Sequence, residues 1–226
     1  MTGNPVYKWL SILLCYPEQE LLDAIPELRA MLNNLPEVMP KRAELESFLD
    51  HLQNTKLLEQ QEEYVRTFDR NRNNALYIFE HVHGEDRDRG SAMVDLLEEY
   101  RKYGYELGDD ELPDYLPALL EFLSLIPKAD ADKLLGDAVH VINHIAEKLA
   151  NSQSPYAVLL QTAVMLSPVK PLPLIDAPVR NMDEAMETFG PDAAGIEPLL
   201  KPKFTDRTAI KFYPEGAHKR PQGADK

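Results

Sequence analysis

Apolar residues recur every three or four positions through most of the first 166 residues, which is the spacing of an amphipathic helix. The clearest of these stripes begin at Val6, Leu57, Met93, Leu116 and Leu135. No segment shows the strict apolar and polar alternation of a half-buried strand. The pattern predicts an all-α fold, a single helical bundle of about nine or ten helices of ordinary length.

Some helix ends are also marked in the sequence. Gly104 follows the stripe that begins at Met93, and glycine is a common residue just after a helix C-terminus. Ser154 and Pro155 match an N-cap residue followed by proline at the first helical position. The run 157–166 is apolar on nearly all sides, so we expect that helix to lie near the centre of the bundle.

The character of the chain changes after Leu166. Nine of the 18 prolines lie between Pro168 and Pro221, and apolar periodicity is weak there. We expect an all-helical domain over residues 1–166, followed by a Pro-rich, extended and partly ordered tail over residues 167–226 that buries too little surface to fold alone.

Charge divides the chain in the same way. The formal net charge is −14, yet the segment Lys201–Lys226 holds seven cationic and three acidic residues, a net +4 that leaves −18 for the rest. An acidic body repels nucleic acid and anionic lipid and attracts basic partners. No run reaches the ~20 apolar residues of a membrane span, and no signal peptide is recognisable at the start. We therefore expect a cytoplasmic protein with no nucleic-acid partner and no membrane insertion.

Cys15 is the single cysteine, so one chain has no intramolecular disulfide and no cysteine-ligated metal cluster. It follows the apolar run of the first helix, where a small buried hydrophobic residue is expected.

Titratable groups are densest between Tyr77 and Gly90. His81 and His83 are two residues apart, whereas a zinc-protease helix needs two histidines at i and i+4. No glycine-rich phosphate loop and no activated serine accompany them. We therefore expect no catalytic residue, no bound metal and no cofactor. The alternative is a small metal-dependent enzyme that uses His81, His83 and the neighbouring carboxylates.

A separate acidic motif runs from Glu111 to Pro117 and contains Pro113 and Asp114. Proline begins many helices, and an aspartate in the first turn complements the helix dipole. Asp114 is thus expected in a first helical turn and partly exposed. Two interpretations stay open, a structural acidic cap and an acidic anchor for a basic group on a partner.

Three stretches, 62–70, 79–97 and 111–121, together resemble the NarJ type of nitrate reductase assembly chaperone. That type belongs to the wider all-helical group of TorD-like redox-enzyme maturation chaperones. The close resemblance covers about residues 62–127, and the flanking helices agree only in pattern. We could place no counterpart for the tail after Leu166.

The resemblance implies a non-enzymatic chaperone. Its partner would be the catalytic (alpha) molybdenum subunit of respiratory nitrate reductase, bound partly through that subunit's N-terminal peptide and held competent for cofactor insertion before membrane docking. The client-binding residues implied in this chain are Phe79, Glu80, His81, His83, Glu85, Pro113, Asp114 and Tyr115. Tyr115 stands where the wider group commonly has histidine, which removes the expectation of a pH-sensitive group there.

Overall fold

The computed structural model describes residues 3–83, 87–108 and 111–174, with residues 83, 87 and 88 described by their backbone alone. Within these ranges the chain forms nine α-helices and no strand, which confirms the all-α prediction. The helices, in chain order α1 to α9, are Pro5–Leu14, Gln19–Leu32, Arg42–Asn54, Leu57–Tyr64, Glu80–His83, Arg87–Lys102, Leu116–Leu125, Lys128–Asn151 and Ala157–Leu166. The predicted tail from residue 175 onward lies outside the described residues.

The apolar stripes become the buried faces of these helices. α1 packs along α7, α8 along α9, and α2 against α3. Trp9 is fully buried, and its indole Nε1–H donates to the backbone oxygen of Leu28 at 2.8 Å, which joins α1 to α2. Ser11 Oγ donates to the backbone oxygen of Pro117 at 2.8 Å and joins α1 to α7. The helices therefore share one core.

The predicted helix ends agree in part. Gly104 adopts φ +70° just after α6, the left-handed conformation that glycine reaches without a steric penalty. Most of α9 is buried, as expected of a central helix. Ser154 is not its N-cap, because α9 begins at Ala157 after a turn in which the Tyr156 N–H donates to Ser154 Oγ at 3.4 Å.

An aromatic cluster fills the middle of the bundle. The Phe68 ring lies 4.9 Å from Tyr64 and 5.0 Å from Tyr156, and Tyr156 lies 5.3 Å from Phe48, as ring centroids. Such pairs add stabilisation beyond the area they bury. At the edge of this cluster, the Tyr64 hydroxyl lies 3.1 Å from the hydroxyl of Tyr115, in the acidic motif 111–117.

Cys15 is not the buried residue that the sequence predicted. It caps the C-terminal end of α1 and is exposed, and its thiol donates to the backbone oxygen of Ser11 at 3.3 Å. The apolar stripe of α1 ends at Leu14, so the next residue leaves the buried face.

Candidate functional site

The titratable stretch 77–90 and the acidic motif 111–117 lie side by side in the structure. Tyr77 and Tyr115 form an isolated antiparallel bridge, in which the Ile78 N–H donates to the Asp114 backbone oxygen at 3.0 Å and the Leu116 N–H donates to the Leu76 oxygen at 2.8 Å. Extended backbone needs a partner for its buried N–H and C=O groups, and each segment supplies the other's. The resemblance assigned both segments to one site, and the structure places them side by side.

Asp114 is placed differently from the sequence-based prediction. α7 begins at Leu116 with Tyr115 as its N-cap, so Asp114 lies before the helix, and its side chain is 0% exposed. Its Oδ2 accepts the Phe79 N–H at 3.2 Å and lies 3.5 Å from Arg89 Nη2. The prediction that Asp114 is a partly exposed carboxylate in a first helical turn is wrong. Residues 113–116 pair with the 76–79 segment, and the helix begins only at Leu116.

The charge of Asp114 is only partly balanced. Burial is the main cause that raises its pKa above 3.8, while Arg89 and the Phe79 N–H act in the opposite direction. Asp114 Oδ1 and Arg89 Nε are buried and have no hydrogen-bond partner within the described part of the chain. An incompletely paired buried charge costs stability, so this arrangement positions the motif more than it strengthens the fold.

Arg89 links the buried carboxylate to the surface. Its Nη1 lies 3.3 Å from Glu80 Oε1, and the two side chains are 21% and 31% exposed. The sequence alone assigned Arg89 no role. The nine-residue separation of Glu80 and Arg89 crosses a helix boundary, so no helical spacing indicated this pair.

The remaining predicted residues support the site in different ways. Phe79 is 1% exposed and Pro113 is buried, and the Tyr100 hydroxyl donates to the Pro113 backbone oxygen at 2.7 Å. His81 Nε2 lies 2.8 Å from the Ala75 oxygen, and its ring centroid is 6.1 Å from that of His144 on α8. The His83 side chain and Glu85 lie outside the described residues. Phe79 and Pro113 are thus buried residues that support the two segments from the core side.

Five partly or well exposed residues form what we call the tyrosine–carboxylate surface: Tyr16, Asp69, Tyr77, Glu80 and Tyr115. The Tyr77 and Tyr115 ring centroids are 5.3 Å apart, and Tyr16 lies edge-on to Tyr64, whose hydroxyl is 3.1 Å from that of Tyr115. The Tyr64 hydroxyl also donates to the Leu14 backbone oxygen at 3.0 Å. The surface is therefore held from beneath by the aromatic core.

Burial and negative charge both act on the tyrosines. Burial, and then the charges of Asp114, Asp69 and Glu80, raise the pKa of Tyr77. Burial also raises the pKa of Tyr115 to about 12. Both hydroxyls stay protonated at neutral pH, so the surface offers apolar ring faces, neutral hydroxyls and carboxylates. These are groups that hold an apolar peptide carrying a basic residue.

Nothing in this arrangement resembles a catalytic centre. Within residues 3–83, 87–108 and 111–174, no three His, Cys, Asp or Glu side chains come together as metal ligands. None of the described helices is both long and apolar enough to cross a bilayer.

The family model described as nitrate reductase delta subunit matches residues 28–160. NarJ of Escherichia coli K12, named a nitrate reductase molybdenum cofactor assembly chaperone, is 35% identical over 211 residues, which cover 90% of this chain and 83% of NarJ. The chain belongs to the nitrate reductase delta subunit family. NarJ is named for assembly and not for catalysis, which agrees with the prediction that this chain is not an enzyme, and no comparison supports the enzyme alternative.

Further relatives agree. NarW of the same strain, named a probable chaperone of the same kind, is 36% identical over 162 residues, or 72% of this chain and 68% of NarW. A crystal structure assigned as a redox enzyme maturation protein from Archaeoglobus fulgidus superposes with a TM-score of 0.53 at 22% identity, over 70% of this chain and 89% of that one. At that identity the likeness shows a shared fold alone.

The family match is wider than the resemblance in the sequence suggested. It extends to both sides of residues 62–127. The first 166 residues are less than 90% of the chain, so the NarJ alignment also takes in part of the Pro-rich segment. Part of that segment therefore has a counterpart in NarJ, which the resemblance over residues 62–127 did not include.

Proposed function

We propose that this chain is a molybdenum cofactor assembly chaperone for a nitrate reductase, and that it acts in the cytoplasm on the catalytic subunit before that subunit is complete. The observation that carries the proposal is the relation to NarJ, 35% identical over 90% of the chain. The proposed client contact is the catalytic subunit's N-terminal peptide, and its proposed binding site is the tyrosine–carboxylate surface.

The shape of the site supports a peptide ligand. Backbone pairing fixes the 76–79 and 113–116 segments, and the Tyr64 and Tyr100 hydroxyls hold them from the core side. A surface held this rigidly loses little conformational entropy when it binds. An amphipathic peptide would place its apolar side on the Tyr77 and Tyr115 rings and its basic side chain near Glu80.

Charge supports the same ligand. Outside the segment 201–226 the chain carries a net −18, and Asp69 and Glu80 lie beside the tyrosines. Attraction between an acidic surface and a basic peptide speeds association and weakens as salt screens it. Arg89 already pairs with Glu80, so a client cation would share or replace that partner.

The test is calorimetric titration of the full chain with the N-terminal peptide of the catalytic subunit. Glu80→Gln keeps the side-chain shape and removes the charge, and we expect about fivefold weaker binding, or ~1 kcal/mol. Glu46→Gln is the matched control, because Glu46 on α3 pairs with Arg29 and the two side chains are 27% and 28% exposed. Equal peptide affinity in both variants would show that the peptide binds elsewhere.

A further inference from the structure

The chain that follows α9 does not leave the domain at once. Residues 167–174 run along α8, where Val169 Cγ2 would lie 2.8 Å from a Cβ on Gly136. Three residues later the Leu172 N–H donates to His140 Nδ1 at 2.9 Å. Glycine at 136 thus permits a close approach that any side chain would obstruct. This strap, residues 167–174, follows α8 towards its C-terminal end.

The direction of the strap leads to the candidate site. Gly136 and His140 are one turn apart on one face of α8, and His144 is the next position on that face. The His144 ring lies beside His81 of α5, which directly follows Glu80. Leu174, the last described residue, is two positions beyond Leu172 and packs against the core. The strap therefore runs towards the part of α8 that carries His144.

The remaining sequence contains a segment with the composition of a client. Residues 204–213 read Phe-Thr-Asp-Arg-Thr-Ala-Ile-Lys-Phe-Tyr, with three aromatic residues and two cations. They lie outside the described residues, within the Lys201–Lys226 stretch whose net charge is +4. Their charge is opposite to that of the −18 remainder, and their aromatic rings suit a surface of tyrosines.

We propose that residues 204–213 bind the tyrosine–carboxylate surface of their own chain and compete with the client peptide. The idea rests on the proposed function, because it describes how that same site is regulated. The chain itself is the occupant, and it protects the site until a client with higher affinity displaces it.

Distance and concentration permit the contact. About 30 residues separate Leu174 from the start of the segment, and a flexible linker of that length spans roughly 30 Å. The radius of gyration of a domain of this size is about 15 Å. A tether of this kind gives an effective concentration on the order of 1 mM. A segment with an intrinsic Kd of about 0.1 mM then closes the site roughly nine times in ten and weakens client affinity about tenfold.

Cys15 provides a probe that needs no client. It is the single cysteine, it is exposed, and it follows Leu14, which binds the Tyr64 hydroxyl beside Tyr115. A nitroxide on Cys15 of the full chain should broaden the NMR signals of residues 204–213. The double variant Arg207→Gln with Lys211→Gln should abolish that broadening, and Lys219→Gln with Arg220→Gln, an equal change of charge nearby, should retain it. Absence of broadening in the wild type, or equal broadening in both variants, overturns the proposal.

A second arm measures competition. Truncation after Pro202 keeps every described helix, and it should tighten binding of the catalytic-subunit peptide about tenfold. A synthetic peptide of residues 203–214, added to the truncated protein, should reverse the gain. Unchanged affinity after truncation overturns the competition and leaves the proposed function intact. Failure of the catalytic-subunit peptide to bind either form contradicts the proposed function, and the nitroxide measurement then still decides where the tail lies.

Discussion

Asp114 is where the structure most changes what a mutation should do. Its Oδ2 receives both the Phe79 N–H at 3.2 Å and Arg89 Nη2 at 3.5 Å, whereas Oδ1 has no hydrogen-bond partner in the described part of the chain. Asp114→Asn can keep an oxygen at the Oδ2 position with both of these contacts. Asp114→Ala removes the acceptor. The stability of the site should therefore depend on the oxygen atom more than on its charge.

The loss of stability expected for each variant follows from these contacts. Losing a hydrogen bond to a charged acceptor costs about 1.5–3 kcal/mol, which for a domain of this size lowers the melting temperature by about 3–12 °C. Asp114→Ala should show this loss, and Asp114→Asn should lie within ~1 kcal/mol of the wild type. Asp50→Ala is the control. Asp50 also pairs with an arginine, at 2.8 Å, but its side chain is 61% exposed, so the loss should be about 0–1 kcal/mol.

The pH dependence supplies a second measurement on the same variants. Burial raises the pKa of Asp114 above 3.8, so the folded chain binds this proton more tightly than the unfolded chain. Its contribution to stability is greatest below about pH 4 and is lost as the pH rises through the folded-state pKa. The wild type should thus lose stability relative to Asp114→Asn as the pH rises above about 4.

Thermal melts of the four proteins at several pH values, with client-peptide titrations beside them, decide the matter. An Asp114→Ala variant that melts within 1 °C of the wild type yet binds the peptide tenfold more weakly would refute the reasoning. Such a result would mean that Asp114 contacts the client directly, as the acidic-anchor interpretation of the motif holds.

Three smaller predictions concern the strap and one helix end. Gly136→Ala should displace Val169 and accelerate hydrogen exchange at the Leu172 amide; unchanged exchange would contradict the close packing. α8 itself should stay intact, because alanine favours a helix over glycine by ~1 kcal/mol. Burial lowers the pKa of His140 below 6.5, against the opposing effect of Asp137. The Leu172 amide should therefore lose its protection from hydrogen exchange only as the pH falls below about 6.5; constant protection down to pH 5 would contradict the bond to Nδ1. Gly104→Ala should lower the melting temperature by about 2–4 °C, because φ +70° costs alanine ~1 kcal/mol; no change in a calorimetric scan would argue against that conformation.

Periodicity predicted the helices well because burial on one face imposes it directly on the sequence. The stripes beginning at Val6, Leu116 and Leu135 became α1, α7 and α8. The failures lie where a residue's surroundings depend on distant chain. Asp114 after Pro113 has the form of a helix start, yet its burial depends on pairing with a segment 35 residues earlier. No local pattern encodes that separation.

The candidate site was predictable only as two sequence motifs. The resemblance indicated both, and the bridge between Tyr77 and Tyr115 brings them side by side. Their division into exposed and buried members could not be predicted, because Phe79 and Glu80 are adjacent and have opposite environments. Arg89 could not be assigned either, since its partners Glu80 and Asp114 lie on different segments.

The most direct test of the central claim is the molybdenum content of nitrate reductase from cells that lack this chain. The catalytic subunit would be purified from the deletion strain and from strains complemented with the wild type, Glu80→Gln or Glu46→Gln, and its metal measured by mass spectrometry. We expect a catalytic subunit largely without molybdenum in the deletion strain, full loading with the wild type and Glu46→Gln, and reduced loading with Glu80→Gln. A fully loaded catalytic subunit in the deletion strain would contradict the proposal that this chain is its assembly chaperone.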